Sequence, residues 1–454
     1  MLATLGTATL ILLILCLVAV FVFEFVNGFH DTANAVATVI YTGTLKPLHA
    51  VLWSGLWNFL GVIAGPGGIA VAMKIVKILP VSDIISVGQG ESIALVLSVL
   101  FAAIIWNIGT WYMGIPCSSS HTLIGSLLGA GYVFSVLHAG DGIKWEEATK
   151  IMMSLLISPA FGFAGAVVLM FILRQLFKRK SEIFEEPKQG QKPPIWIRAV
   201  LITTCTLVSF FHGSNDGQKG VGLTMIILMI FLPMQFGLAP EFDMAKSRAA
   251  ITNLETQFTK GGDAALLKEA EELNKKLNDL ETQPSGQTKM DARKKIQKFI
   301  KRTEEAIKDG SLKGKDLVKA TKSEIKVLKD YTEFAPFWVV LMISIALGIG
   351  TTIGWKRIVV TIGEKIGKRH MTYAEGATAE LMAATTIGLS TQLGLPVSTT
   401  HVLSSGVAGS MTANKGVNSL EPNTIKNIGI AWILTLPVTI ILAGGLYYLL
   451  TLFI

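Results

Sequence analysis

The sequence predicts an all-α polytopic membrane protein, made as an inverted repeat with broken helices and re-entrant-type hairpins, plus a soluble helical insertion. Three observations predict it. Of 454 residues, 51% are hydrophobic and only 16% charged, and several apolar runs reach the roughly 20 residues that cross a bilayer as helix. Two polar motifs each occur twice, in the same order. Finally, half of the 40 Lys and Arg fall between Leu238 and Glu333, so the rest of the chain is left to hydrocarbon.

The first half offers membrane segments near residues 5–42, 48–80, 91–113, 116–137 and 150–176. The second offers 196–233, 334–354, 372–394, 396–413 and 427–453. The first run, Leu10 to Val26, has no Lys or Arg before it and no small-residue cleavage site after it, so it reads as a retained span and not as a signal peptide. Cys16, Cys117 and Cys205 lie in apolar segments without metal-type spacing, which argues against a disulfide framework or a zinc site.

The duplication is carried by short motifs. "GFHD" at 28–31 matches "GSND" at 213–216, and "GIPCSSSHTL" from Gly114 matches "GLPVSTTHVL" from Gly394. With an odd number of crossings per half, the second copy lies upside down relative to the first, the plan of many secondary transporters. The domains expected are a first membrane repeat (1–176), a basic cytoplasmic loop (177–195), a second repeat (196–237 and 334–454) and the insertion (238–333).

Arg174, Lys178, Arg179, Lys180, Lys188, Lys192 and Arg198 crowd one short loop, and Lys356, Arg357, Lys365, Lys368 and Arg369 crowd another. Both are expected on the cytoplasmic side. Counting crossings from there places the amino terminus and the insertion outside. In the insertion, "AALLKEAEELNKKLNDLE" sets Leu267, Leu273, Leu277 and Leu280 among charge pairs, the pattern of an amphipathic helix with no chemistry of its own. The net charge of +8 gathers on no single face, which leaves a nucleic-acid partner without a footprint.

Both Gly-x-Pro motifs end one helix and begin another. Ser118, Ser119, Ser120 and Thr122 in the first copy, and Ser398, Thr399 and Thr400 in the second, set hydroxyls beside unpaired backbone donors. A helix start at membrane depth is suited to an anion. Ser and Thr also serve close helix packing, but two matched copies after Gly-x-Pro favour one enclosed oxyanion. His121 and His401 close the motifs, either holding the hairpins in shape or carrying protons.

The acids demand more. An ionisable group at membrane depth is costly and marks an ion pathway. Asp31 and Asp216 stand at matched positions, and Glu380 lies on the helix entering the second hairpin, followed by Ser390, Thr391 and Gln392; Asn107 and Thr110 stand in the first-copy counterpart. A bare carboxylate beside a bound anion repels it. Each Asp must be protonated, cation-bound or paired with a base, and that requirement couples a cation to the anion. His212, Asn215, Gln218 and Lys219 crowd the second acidic motif, and His30 and Thr32 flank Asp31. Glu24, one turn before Asn27, either pairs locally or sits near an interface.

The stretches "NGFHDTANAVATVIYTGT", "IIWNIGTWYMGIPCSSSHTLIG", "HGSNDGQKGVGL", "GWKRIVVTIGEKIG" and "LPVSTTHVLSSGVAGS" resemble the inorganic phosphate transporter (Pit) family, in particular its bacterial low-affinity members. The resemblance implies a symporter of phosphate and a cation in the bacterial cytoplasmic (inner) membrane. It also implies transport roles for Asp31, Asn34, Ser118, Asn215, Asp216, Glu380 and Ser398. The family's broader pattern reads Gly-Ala-Asn-Asp-Val-Ala-Asn-Ala. Here Phe29 and His30 replace Ala-Asn, and Lys219 stands where the first copy has Asn34. Those departures point to a proton as coupling ion, with the Lys219 ammonium in the place of a sodium ion.

The expected partners are inorganic phosphate, alone or complexed with a divalent metal, membrane lipid, and a second copy of the chain as a homodimer. No ATP-binding motif and no organic cofactor is expected, so an ion gradient is the energy source. The alternatives are sodium coupling, a sulfate permease of the same fold, a passive anion channel, and an intramembrane enzyme, which would need a nucleophile and base that no recognised triad supplies.

Overall fold

The computed structural model describes residues 6–138, 142–178, 181–187, 193–261, 263–312 and 314–453. Arg179, Lys180, Lys188 and Lys192 of the basic loop lie outside the described residues. Apart from one isolated bridge between Gly367 and Leu420, the described residues form helices and connections.

In chain order the helices are α1 (Thr7–Asp31), α2 (Ala33–Tyr41), α3 (Pro47–Ala64), α4 (Ala70–Val76), α5 (Val81–Val87), α6 (Gln89–Tyr112), α7 (Ser119–His138), α8 (Trp145–Leu176) and α9 (Ile195–Phe231). They continue as α10 (Pro233–Phe236), α11 (Met244–Gly261), α12 (Ala264–Thr282), α13 (Gly286–Lys308), α14 (Lys315–Thr332), α15 (Phe337–Thr352), α16 (Lys356–Val360), α17 (Tyr373–Gln392), α18 (Thr399–Lys415) and α19 (Pro422–Thr451). Among the described residues, seven stretches are long and apolar enough to cross a membrane: α1 with α2, then α3, α6, α7, α8, α9 and α19. The chain is therefore a polytopic all-α membrane protein.

Two compact units form. One comprises residues 1–80, 93–224 and 336–454; the other comprises 81–92 and 225–335. In the first unit the helices of the two copies pack reciprocally: α7 on α19, and α18 on α8. The close approaches repeat the pattern at residue level. A Cβ at Gly28 would overlap Leu347 O, and one at Gly213 would overlap Asn58 O, while Gly61 meets Phe210 O and Gly350 meets Phe25 O. Positions 25 and 28 correspond to 210 and 213, and 58 and 61 correspond to 347 and 350. Contacts made once in each direction are those of a two-fold relation.

The two hairpins close alike. Gly114 and Gly394 sit in the left-handed region at φ 68° and 66°, which only glycine enters without strain. Ile115 N–H reaches back to Thr110 O at 3.0 Å, and Leu395 N–H to Ser390 O at 2.8 Å. This six-to-one closure satisfies carbonyls that the helix end leaves open.

The acidic motifs differ between copies. Between α1 and α2 the helix is interrupted at Thr32, whose hydroxyl donates to Gly28 O and Thr351 O. The second copy was expected to break as well, yet α9 runs without interruption through Gly213 to Gly222. Its glycines are spent on close helix packing and its polar side chains find partners on neighbouring helices, so no backbone bond has to open.

In the second unit, α11 to α14 bury Ile251, Leu254, Phe258, Leu266, Leu273, Leu277, Phe299, Ile300 and Leu328 in one core. Asp263 caps α12, and Ser285 with Thr288 forms a capping box on α13. Such caps contribute about 1 kcal/mol each. Burial pushes the Arg293 guanidinium down to about 10, and it donates to Gly237 O.

Candidate functional site

The centre of the first unit is a buried polar cluster. Asp31, at the end of α1, accepts from Thr400 Oγ1 at 2.6 Å through Oδ1, and His30 Nδ1 lies 3.3 Å from the same oxygen. Asp216, in mid-α9, accepts from Lys219 Nζ at 2.5 Å through Oδ2. Ser119 Oγ stands between the acids, 3.0 Å from Asp31 Oδ2 and 3.4 Å from Asp216 Oδ2. The first-copy hairpin thus supplies a hydroxyl to acids of both copies.

Two corresponding contacts join each acidic motif to the opposite hairpin. Lys219 Nζ donates to Ser120 Oγ at 2.6 Å, and Asn34 Nδ2 donates to Thr400 Oγ1 at 3.1 Å and Thr399 Oγ1 at 3.5 Å. Lys219 corresponds to Asn34 and Ser120 to Thr400. The same contact is made twice, by an ammonium in one place and by a neutral amide in the other.

His212 completes the cluster. Asn58 Nδ2 donates to Thr351 Oγ1 at 3.2 Å, so Asn58 Oδ1 faces His212 Nδ1, 2.6 Å away. A carboxamide oxygen only accepts, so Nδ1 carries a hydrogen, and in the neutral ring Nε2 presents a lone pair. That nitrogen has no hydrogen-bond partner and lies 3.6 Å from both Asp31 Oδ2 and Asp216 Oδ2. One ligand atom from each of Asp31, His212 and Asp216 falls within 4.8 Å of the others, an arrangement able to hold a cation. With a neutral imidazole, two carboxylates face one ammonium, a formal excess of one negative charge. Like charges about 4 Å apart repel by about 1 kcal/mol in water and by roughly four times that at a protein's effective dielectric, so a cation at this cluster would offset the repulsion of a bound anion.

The other sequence-predicted residues take several roles. Ser118 Oγ and Ser398 Oγ accept from His121 N–H and His401 N–H, both at 3.1 Å, capping α7 and α18. Asn215 is a strap: Nδ2 donates to Thr391 Oγ1 and Leu395 O, and Oδ1 accepts from Val397 N–H. Gln218 turns away and caps α4 through Val71 N–H at 2.9 Å. Thr122 donates to Ser118 O, and Thr110 meets His30 Nε2 at 3.3 Å. His121 and His401 lie with ring centroids 4.5 Å apart, and His401 stacks on Trp432 at 4.0 Å.

Glu380 is held elsewhere: its Oε2 accepts from Thr204 Oγ1, and Oε1 is buried without a partner. Asn107 is buried with neither amide atom bonded, Ser390 is half-buried and Gln392 exposed. Asn58 was not foreseen. Its only signal was a carboxamide alone in the apolar run "AVLWSGLWNFLGVIA".

Residues 27–443 match the model of the "Phosphate transporter family". The chain is 39% identical to the low-affinity inorganic phosphate transporter PitB of Escherichia coli (strain K12), covering 97% of this chain and 96% of that one. It is 39% identical to PitA of the same strain, covering 98% of each, and 30% identical to a probable low-affinity inorganic phosphate transporter of Bacillus subtilis (strain 168), covering 97% and 98%. A solved structure described as "The sodium-dependent phosphate transporter" has a similar fold, with TM-score 0.64 and 19% identity over 98% of this chain and all of that one.

Proposed function

The chain belongs to the phosphate transporter family, and from that premise we propose that it is a secondary active symporter that imports inorganic phosphate, driven by protons, through alternating access between the two copies. Its named relatives are transporters, not enzymes. The anion is held among Ser119, Ser120, Thr399, Thr400, Asn34 and Lys219. Asp31, Asp216 and His212 receive the coupling cation.

The observation that carries proton coupling is the 2.5 Å contact of Lys219 Nζ with Asp216 Oδ2. A positive charge of the chain itself occupies one acid at the position where the other copy has a neutral Asn, which lowers the need for sodium there. The structural neighbour's sodium dependence belongs to that protein; at 19% identity the likeness concerns the fold. A second reading, that phosphate travels as a divalent-metal complex, is favoured by the facing Asp31, His212 and Asp216 atoms, because imidazole and carboxylate together suit first-row divalent ions. In both readings the amino terminus and the insertion lie outside, as positive-inside counting requires.

Uptake of labelled phosphate into proteoliposomes, with a proton or a sodium gradient imposed separately, tests this. Accumulation should follow the proton gradient. Accumulation driven by sodium alone would overturn proton coupling and leave the phosphate assignment standing.

A further inference from the structure

Glu24 is a buried acid that the mechanism above leaves unused. It is 0% exposed, its Oε2 accepts from Asn27 Nδ2 at 3.2 Å, and its Oε1 has no hydrogen-bond partner. Its carboxyl lies within electrostatic reach of Lys219 and Asp216 of the opposite copy. It also packs on the residue next to Lys219: a Cβ at Gly220 would overlap Glu24 Cγ.

The duplication supplies an internal control. The counterparts of Glu24, Lys219 and Gly220 are Ser209, Asn34 and Ala35. On one side of the two-fold, an acid of the first copy lies against the glycine that follows a base of the second; on the other side, the counterparts are two neutral polar residues and an alanine. Three departures from the repeat fall together, and they place a buried acid and a buried base on one side of the two-fold only. An isolated structural acid would not call for all three.

We infer that Glu24 is the second counter-ion of Lys219 and the positioning residue that lets Lys219 leave Asp216 when the coupling cation arrives. The inference rests on the symport reading above. A cation cannot approach Asp216 Oδ2 while an ammonium lies 2.5 Å from it. Nor can a fully buried ammonium be left without an acid, since breaking a buried pair leaves an uncompensated charge. Glu24 is a further carboxyl within electrostatic reach of Lys219, and its Oε1 has no hydrogen-bond partner. Lys219 therefore exchanges between Asp216 and Glu24 as the cation comes and goes, while Asn27 holds the other Glu24 oxygen in place. No covalent step is involved; one ammonium changes partner.

Glu24→Gln keeps the size of the side chain and removes its charge. Lys219 then stays on Asp216, standing where the coupling cation has to come and go, so phosphate still crosses but the gradient no longer drives it. In proteoliposomes, gradient-driven accumulation should fall about tenfold, while phosphate–phosphate exchange at equal concentrations changes less than about twofold, with Glu24→Asp restoring part of the loss. Equal loss of both, or of neither, overturns the inference. A melting-temperature cycle of Glu24→Gln, Lys219→Met and the double variant reads the pairing without transport: non-additive shifts are expected, and additive shifts overturn the pairing. Wild-type protein that does not exchange phosphate, beside a non-additive cycle, would instead overturn the transport reading.

Discussion

Lys219 Nζ lies 2.5 Å from Asp216 Oδ2, one turn earlier on the same helix, and both side chains are fully buried. The corresponding residues of the first copy, Asn34 and Asp31, carry one charge between them instead of two. The pairing makes the two acids unequal.

That inequality gives the first prediction. Lys219→Asn restores the neutral amide of the first copy and frees Asp216 for a metal cation. Its phosphate uptake should become responsive to an imposed sodium gradient and less responsive to protons. Labelled-phosphate uptake in paired proteoliposome preparations decides it; no sodium response in an otherwise transporting variant would count against the role given to the ammonium.

Removing either acid should abolish gradient-driven uptake, but the two differ in stability. Asp216→Asn strands the Lys219 ammonium, and breaking a buried pair in this way costs about 3–5 kcal/mol. Asp31→Asn leaves hydroxyls and imidazoles that accommodate an amide. Thermal unfolding of the two variants in detergent should put Asp216→Asn several degrees below Asp31→Asn.

Asn58 acts through His212. Asn58→Leu removes the acceptor that holds Nδ1–H, and loss of such an outer partner lowers activity by roughly 10- to 100-fold. Asn58→Asp keeps an acceptor and should lose less. Initial phosphate uptake rates of the two variants, at matched protein per vesicle, measure the difference.

The hairpin glycines answer the same backbone demand. Gly114→Ala and Gly394→Ala each force a Cβ into the left-handed region, at about 1–2 kcal/mol. Gly109→Ala, at a helical site with open space around it, should gain up to about 1 kcal/mol. Melting temperatures of the three variants test the pattern, with the larger loss expected at 394, where a Cβ also meets Ala70 Cβ at 3.0 Å, while one at 114 meets nothing nearer than 3.5 Å; no loss at either would contradict the matched closure.

Phosphate should prevail over sulfate. Monohydrogen phosphate carries an O–H that a buried carboxylate can accept from, and sulfate has none; a site with buried groups made for a hydrogen bond strongly rejects the analogue that lacks it. Competition of labelled phosphate uptake by sulfate in roughly hundredfold excess should leave most of the uptake intact.

The architecture was legible wherever pattern repeated. Apolar runs located the spans, and the pair "GIPCSSSHT" and "GLPVSTTHV" located the hairpins because identical turn chemistry has identical backbone demands. Asp31 and Asp216 were legible because nothing else explains an acid in a span. The direction in which a helical side chain points was not legible, since it depends on which helix packs against it. Thus Gln218, one residue before Lys219, caps α4 instead of joining the cluster, and Glu380 meets Thr204. The continuity of α9 was hidden for a similar reason: its glycines read as a break until the carbonyls packed against them are known.

Ser119 stands within reach of both acids, yet a hydroxyl owns one hydrogen. At any instant it favours Asp31 or Asp216, never both, so the position of one hydrogen also distinguishes the two acids. A single rotation about Cβ–Oγ reverses the preference. The cheapest motion in the molecule can thus decide which carboxylate is the better base, before any helix has moved.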